Sequence, residues 1–260
     1  MPGVLDLRTW VTLRAVARQT GAVGLETLRE ARRVLYGGDG ALALATAQAA
    51  GLNGPVQQVG ELVLLALDHD AARAGEFAAK CSGVLRVRGW DGDQELADAI
   101  DVARGVVASD AEALRELAVD LEQLADLIDA GPDSAGGRLD LTTGEVWPEF
   151  AFEDTFTKDE DDDEDPDRWL HVWPSGSRRA YEDMVDFTAT RESGRLCARL
   201  ESALGGRGAF RRFKDVLMDW PEDREDWFMF SEDRSRGRAR EWLADVGYRP
   251  AVRSSAQRPE

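Results

Sequence analysis

The chain has 260 residues, with 32 Lys plus Arg against 50 Asp plus Glu for a formal net charge of -18, and 43% of it is hydrophobic. That length and apolar share suit one large or two ordinary domains with real cores and exclude a chain disordered throughout. No run approaches the roughly 18 consecutive apolar residues of a membrane span, and the start MPGVLDLRTW lacks the basic-then-apolar order of a signal peptide. Two cysteines, Cys81 and Cys197, make neither a cystine framework nor a zinc cluster. The expectation is a cytoplasmic protein with reduced thiols, no membrane contact and no cofactor.

The first 110 residues read as short helices broken by glycine. Leu13, Val16 and Ala17 share one helical face, and Leu25, Leu28, Ala31 and Leu35 another, ended by Gly37, Gly38 and Gly40. A third segment covers 41–50, a fourth runs from 56 to about 67, and a further helix spans 93–104. The character then changes. Asp120, with Gln123 three residues on, reads as the N-cap of a helix carrying Leu121, Leu124, Leu127 and Ile128. Two alternating runs around Thr142-Thr143-Gly144 signal a hairpin, and 169–173 alternates as a third strand.

The rest reads as helical. One face carries Tyr181, Met184, Val185 and Thr188, and the next Leu196, Cys197, Leu200 and Leu204. Phe210, Phe213 and Leu217 form a third stripe, and Ala239, Trp242, Leu243 and Val246 a fourth. The fold class expected is α+β, mainly helical. An all-α N-terminal domain (1–112) precedes a mixed domain (113–249) with a small antiparallel sheet packed with helices, and 250–260 form a frayed tail.

Charge is unevenly spread. Residues 117–170 hold 18 acids and 3 bases, peaking in the seven acids from Asp159 to Asp165. A run this dense repels itself and is expected as a solvated, disordered loop over about 153–167. The overall acidity argues against nonspecific DNA binding.

LDLTTGEV (139–146), YEDMVDF (181–187), GGRGAFRRFKDVL (205–217), the WFMF block at 227–230 and WLADVGY (242–248) together resemble an uncharacterised bacterial protein family over roughly 114–249. GRGAFRRFKD is the most distinctive block. The resemblance implies a small α+β domain in a cytoplasmic protein and brings no activity and no catalytic residues.

That block is also the sharpest chemical feature. A glycine-rich turn opening a helix presents free N–H groups and the positive end of the helix dipole. With the helix starting near Gly208, Arg211 and Lys214 share a face and Arg207 reaches it from before the first turn, which suits a nucleotide, a phosphate or RNA. The bland reading pairs these bases with Asp215, Asp219, Glu222 and Asp226. Arg234, Arg236, Arg238 and Arg240 alternate, scatter around a helix and read as solvated surface.

Neither acidic cluster fits an EF-hand, because Glu164 and Leu170, or Leu96 and Val102, stand where Gly and Glu belong. His69, His171, Ser82, Ser175 and Cys197 form no nucleophile motif, and Cys197 reads as a buried thiol. The aromatics from Trp220 to Tyr248 read as core rather than as a base-stacking platform.

Three functions follow. The first is a non-enzymatic binding or regulatory module for an anionic small molecule or RNA, with Arg207, Gly208, Arg211 and Lys214 as ligand-binding residues and no catalytic or metal site. The second is a metal-dependent phosphoesterase, with Asp140 and Glu145 sharing a cation across the hairpin turn. The third is a scaffold that takes a protein partner on exposed apolar faces of the N-terminal helices.

Overall fold

The structure, a computed structural model, describes residues 25–106, 114–131, 133–155, 165–192 and 194–252. The face at Leu13, Val16 and Ala17 and most of the acidic run lie outside these residues. Among them the chain is α+β and mainly helical, as expected.

Four helices come first: α1 (Leu25–Gly37), α2 (Gly40–Ala50), α3 (Val56–Arg88) and α4 (Asp93–Ala103). They enclose one apolar cluster built on Ala43, Ala47, Leu62, Val63, Leu85 and Ile100. The segment expected to stop near residue 67 does break there, but not for good. Asp70 leaves the helical region (φ -151°, ψ 85°), and its Oδ1 accepts the Arg73 N–H at 3.1 Å, capping a new start. Buried Ala74, Ala78, Cys81 and Leu85 then continue the helix to Arg88.

The second half begins with β1 (Arg115–Leu117) and α5 (Leu121–Ile128). Asp120 caps α5 as expected, its Oδ1 accepting from Glu122 N at 2.9 Å and Gln123 N at 3.4 Å. The hairpin forms from β2 (Gly137–Asp140) and β3 (Val146–Pro148), and after α6 (Glu149–Thr155) the strand β4 (Trp169–Val172) joins it. The sheet is antiparallel in the order β3-β2-β4, with Arg138 opposite both Trp147 and His171.

Helices α7 (Ser177–Ala189), α8 (Arg195–Leu204) and α9 (Ala209–Met218) follow, then the 25-residue α10 (Pro221–Asp245) and β5 (Tyr248–Pro250). Strand β5 pairs in parallel with β1, and the Ala251 N–H donates to Leu117 O at 2.8 Å. Residues 250–252 of the expected tail are therefore held in place, and Val252 packs against the N-terminal cluster.

Two further apolar clusters flank α10. One joins α5, the three-stranded sheet, β5 and Ala239 and Leu243 of α10. The other gathers Phe187, Phe213, Trp227 and Phe230, so these aromatics are core, while Phe210, Tyr181 and Val185 face solvent. Trp90, from the turn between α3 and α4, packs edge-on to Phe230 at 5.4 Å.

Gly237, in the middle of α10, is what lets that turn come so close. A Cβ on Gly237 would stand 2.1 Å from the Asp91 carbonyl oxygen, and one on Gly92 2.2 Å from the Gly237 oxygen. Glycine here permits backbone-to-backbone contact.

Candidate functional site

Helix α10 carries charge where a surface helix would carry apolar residues, and that charge is buried. Arg236, Arg238 and Arg240 are 5%, 6% and 3% exposed, contrary to their reading as solvated surface. Alternate spacing does scatter them, but α10 is surrounded, so each meets a different part of the protein. Arg238 donates to Asp129 and Asp183, which Arg234 also contacts. Arg240 donates to Gln57 Oε1 at 2.9 Å and Glu61 Oε1 at 2.7 Å, reaching α3. One turn before Gly237, Asp233 accepts from Arg88 and from the Gln57 N–H, and Arg88 also grips Asp93. Asp93 is fully buried within this network.

Arg236 is the exception. Its guanidinium makes no hydrogen bond among the described residues, and the carboxylate it approaches, Glu61, stays 3.7 Å from Nε. Burial works against its charge, but the carboxylates of Glu61, Glu232 and Glu122 outweigh burial and hold its pKa above the ordinary value. A cation held charged and buried without hydrogen bonds is costly, and it stands ready for an acceptor.

Arg236 lines a cleft, partly open to solvent, between the N-terminal helices and the β1–β5 edge. Leu35, Leu64, Leu65, Val119 and Val252 give it aliphatic walls. Tyr36, Glu61, Asp120 and Arg240 complete its polar part. The Tyr36 hydroxyl donates to Asp120 Oδ2 at 3.0 Å, and burial together with that carboxylate pushes the phenol pKa up, so it stays neutral. Glu61 accepts from Arg240 through Oε1, and its Oε2 has no hydrogen bond among the described residues. Apolar walls with a few converging polar groups are the usual make-up of a small-molecule site.

The residues singled out in the sequence lie elsewhere. Gly208, at φ 77°, is the N-cap of α9, as the glycine-rich turn suggested. Arg207, Arg211 and Lys214 all face solvent. Arg211 is 89% exposed along its side chain and reaches only Asp215, at 3.8 Å. Arg212, which was not singled out, turns back and donates to the carbonyls of Ala203, Gly205 and Arg207, holding the glycine-rich turn together. The basic face is thus presented outward on a turn that Arg212 holds together.

Asp140 and Glu145 do not meet around an open position. Asp140 is buried, and its oxygens accept from Thr142, Thr143 and Arg168. Glu145 points to solvent. Among the described residues no group of three or more His, Cys, Asp or Glu could hold a metal ion.

His171 packs on Trp173 with ring centroids 3.8 Å apart, while the Ser82 and Ser175 hydroxyls donate to backbone carbonyls. Cys197 is half-buried rather than buried. Burial and Glu201 raise its thiol pKa, the opposite of activation. No helix among the described residues is long and apolar enough to cross a membrane.

The sequence profile described as "Uncharacterised protein family (UPF0158)" matches residues 139–260. The "UPF0158 protein PA5073" of Pseudomonas aeruginosa is 32% identical over 143 residues, which are 55% of this chain and 92% of that protein. The chain belongs to the UPF0158 family. The family-matched part holds the β2–β3 hairpin, the glycine-rich turn and all of α10. Helices α1 to α4, which supply Leu35, Tyr36, Glu61, Leu64 and Leu65 of the cleft wall, lie outside it. No solved structure matches the chain.

Proposed function

We propose that this UPF0158 member is a cytoplasmic, non-enzymatic binding protein of regulatory type whose ligand carries an anionic group. The observation behind this reading is the Arg236 guanidinium, buried and without a hydrogen bond, lining the aliphatic cleft between the two halves. Its planar fork suits a carboxylate or phosphate group. The exposed face of Arg207, Arg211 and Lys214 offers charge of the same sign and ranks second, because these side chains stand in solvent.

The scaffold reading draws support from exposed apolar side chains, Leu42 and Val87 on the N-terminal helices and the larger Phe150 and Trp173 in the second half of the chain. The phosphoesterase reading ranks last, since Asp140 is already fully engaged.

A thermal-shift screen at low salt, against nucleotides, short RNA, inorganic phosphate and small carboxylates, tests the reading. A shift that persists in Arg211→Ala and vanishes in Arg236→Met supports the cleft. The reverse pattern moves the site to α9. A flat screen overturns binding of a small anion.

A further inference from the structure

We infer that the cleft takes a zwitterion, a small α-amino acid with an aliphatic side chain. This inference rests on the binding reading above and sharpens it.

The polar part of the cleft holds two cations, Arg236 and Arg240, and two anions, Glu61 and Asp120. Three of the four are already engaged. Arg240 has Gln57 and Glu61, Asp120 has the α5 N-terminus and Tyr36, and Glu61 has Arg240 on one oxygen. Two capacities remain: the guanidinium fork of Arg236 and the second oxygen of Glu61.

Arg236 Nε lies 3.7 Å from Glu61 Oε1, the oxygen that accepts from Arg240, so the guanidinium stands beside the carboxylate whose Oε2 accepts no hydrogen bond among the described residues. A carboxylate on Arg236 with an ammonium on Glu61 satisfies both at once. The α-amino acid is the smallest common molecule with those two groups on one carbon. Its third substituent would lie against Leu35, Leu64, Leu65 and Val119, which are aliphatic rather than aromatic.

Charge argues the same way. Two cations and two anions sum to zero, and a zwitterion keeps that balance. A bare carboxylate leaves the cleft at -1 and a phosphate dianion at -2, beside Glu61 and Asp120 and within the field of Glu122 and Glu232. Like charges at short range in a partly dry site act against such ligands.

Four probes separate the alternatives by isothermal titration and thermal shift on the full chain: L-leucine, 4-methylpentanoate (leucine without its amine), 3-methylbutylamine (leucine without its carboxylate) and inorganic phosphate. The expected result is a shift of about 5–10 °C with leucine at a hundred times its dissociation constant. 4-Methylpentanoate should bind at least tenfold more weakly, and the amine and phosphate should give no shift. Arg236→Met should abolish the leucine response. Glu61→Gln keeps an acceptor for Arg240 and should remove the preference for leucine over 4-methylpentanoate.

Equal binding of leucine and 4-methylpentanoate, both lost in Arg236→Met, overturns the zwitterion and leaves the anion site standing. A phosphate response lost in Arg236→Met does the same. No response to any probe, or responses unchanged in a folded Arg236→Met protein, overturns both readings. Circular dichroism and the ligand-free Tm of each variant separate lost binding from lost structure, and the wild-type ranking alone decides the zwitterion.

Discussion

Replacing Arg88 by Met should cost the fold about 3–5 kcal/mol, and the size of that loss follows from what the guanidinium holds. Arg88 is 3% exposed along its side chain, and the carboxylates it bridges, Asp93 and Asp233, are 0% and 2% exposed. It donates to Asp93 through Nε at 2.8 Å and through a second nitrogen, and to Asp233 through a third, while its plane lies 4.2 Å from the Trp90 ring. Methionine fills much of the volume but leaves two buried carboxylates with only Gln57 and the Trp90 N–H as donors.

For a chain of this size the loss corresponds to roughly 6–20 °C in Tm. It should also depend on pH. Burial already pushes the Asp233 carboxyl up, and removing Arg88 pushes it further. A carboxyl whose folded pKa lies above its unfolded value destabilises progressively as pH rises through that range. The deficit of the variant should therefore be largest at pH 7 and shrink towards pH 4.

Urea unfolding and Tm at pH 7 and pH 5, beside Arg236→Met, make the test. Arg236 donates no hydrogen bond, and Glu61 would keep Arg240, so Arg236→Met should stay within about 1 kcal/mol of wild type. Equal losses in the two variants would refute the assignment of structural and ligand-facing roles along α10.

Gly237→Ala reverses a general rule. Alanine inside a helix normally adds about 1 kcal/mol, but here its Cβ meets the Asp91 carbonyl at 2.1 Å, so urea unfolding should show a loss of about 1–3 kcal/mol. Asp140→Asn should be less stable than wild type at pH 7. Burial pushes the Asp140 carboxyl up, yet its bonds to Thr142, Thr143 and Arg168 outweigh this and leave the pKa below the ordinary value. That stabilisation is present above the unfolded pKa and is lost as pH falls through the folded one, so the gap between the two proteins should close below about pH 4. Arg212→Ala should lower Tm by freeing three carbonyls of the glycine-rich turn, whereas Arg211→Ala should leave Tm unchanged. We propose the domains 1–112 and 113–249 as a coupled pair. Expressed alone, 113–260 should lack the cooperative unfolding of the full chain, because Asp233 loses Arg88 and Arg240 loses Glu61.

Local features were the legible ones. The Asp120 cap, the hairpin around Gly144 and the strand at 169–172 each depend on residues within a few positions of one another, and all three form. The β1–β5 pairing was invisible, since it joins three residues to three others 133 positions away. The buried arginines of α10 were misread for a related reason. A helix buried on every side, against apolar clusters on some faces and acidic partners on others, shows no single apolar stripe, so the pattern around its arginines resembles that of a solvated one. Asp129, Asp183, Glu61 and Arg88, which decide the matter, lie 51 or more residues away. One local signal was there: Gly237 in mid-helix marks a close backbone approach and hence burial. The exposed face of α9 was legible because the turn and its bases are contiguous, whereas the cleft draws Tyr36, Glu61, Asp120, Arg236 and Val252 from the whole chain.

The most direct test of the cleft is the side-chain NMR signal of Arg236 itself. In a protein labelled with nitrogen-15, the Arg236 Nε–H resonance is the one lost in Arg236→Met. Titrating L-leucine should move that resonance and slow its hydrogen exchange, with the Arg211 signal unmoved. A shift at Arg211 with Arg236 silent, or no arginine shift at saturating leucine, would contradict a ligand site at the seam between the two halves.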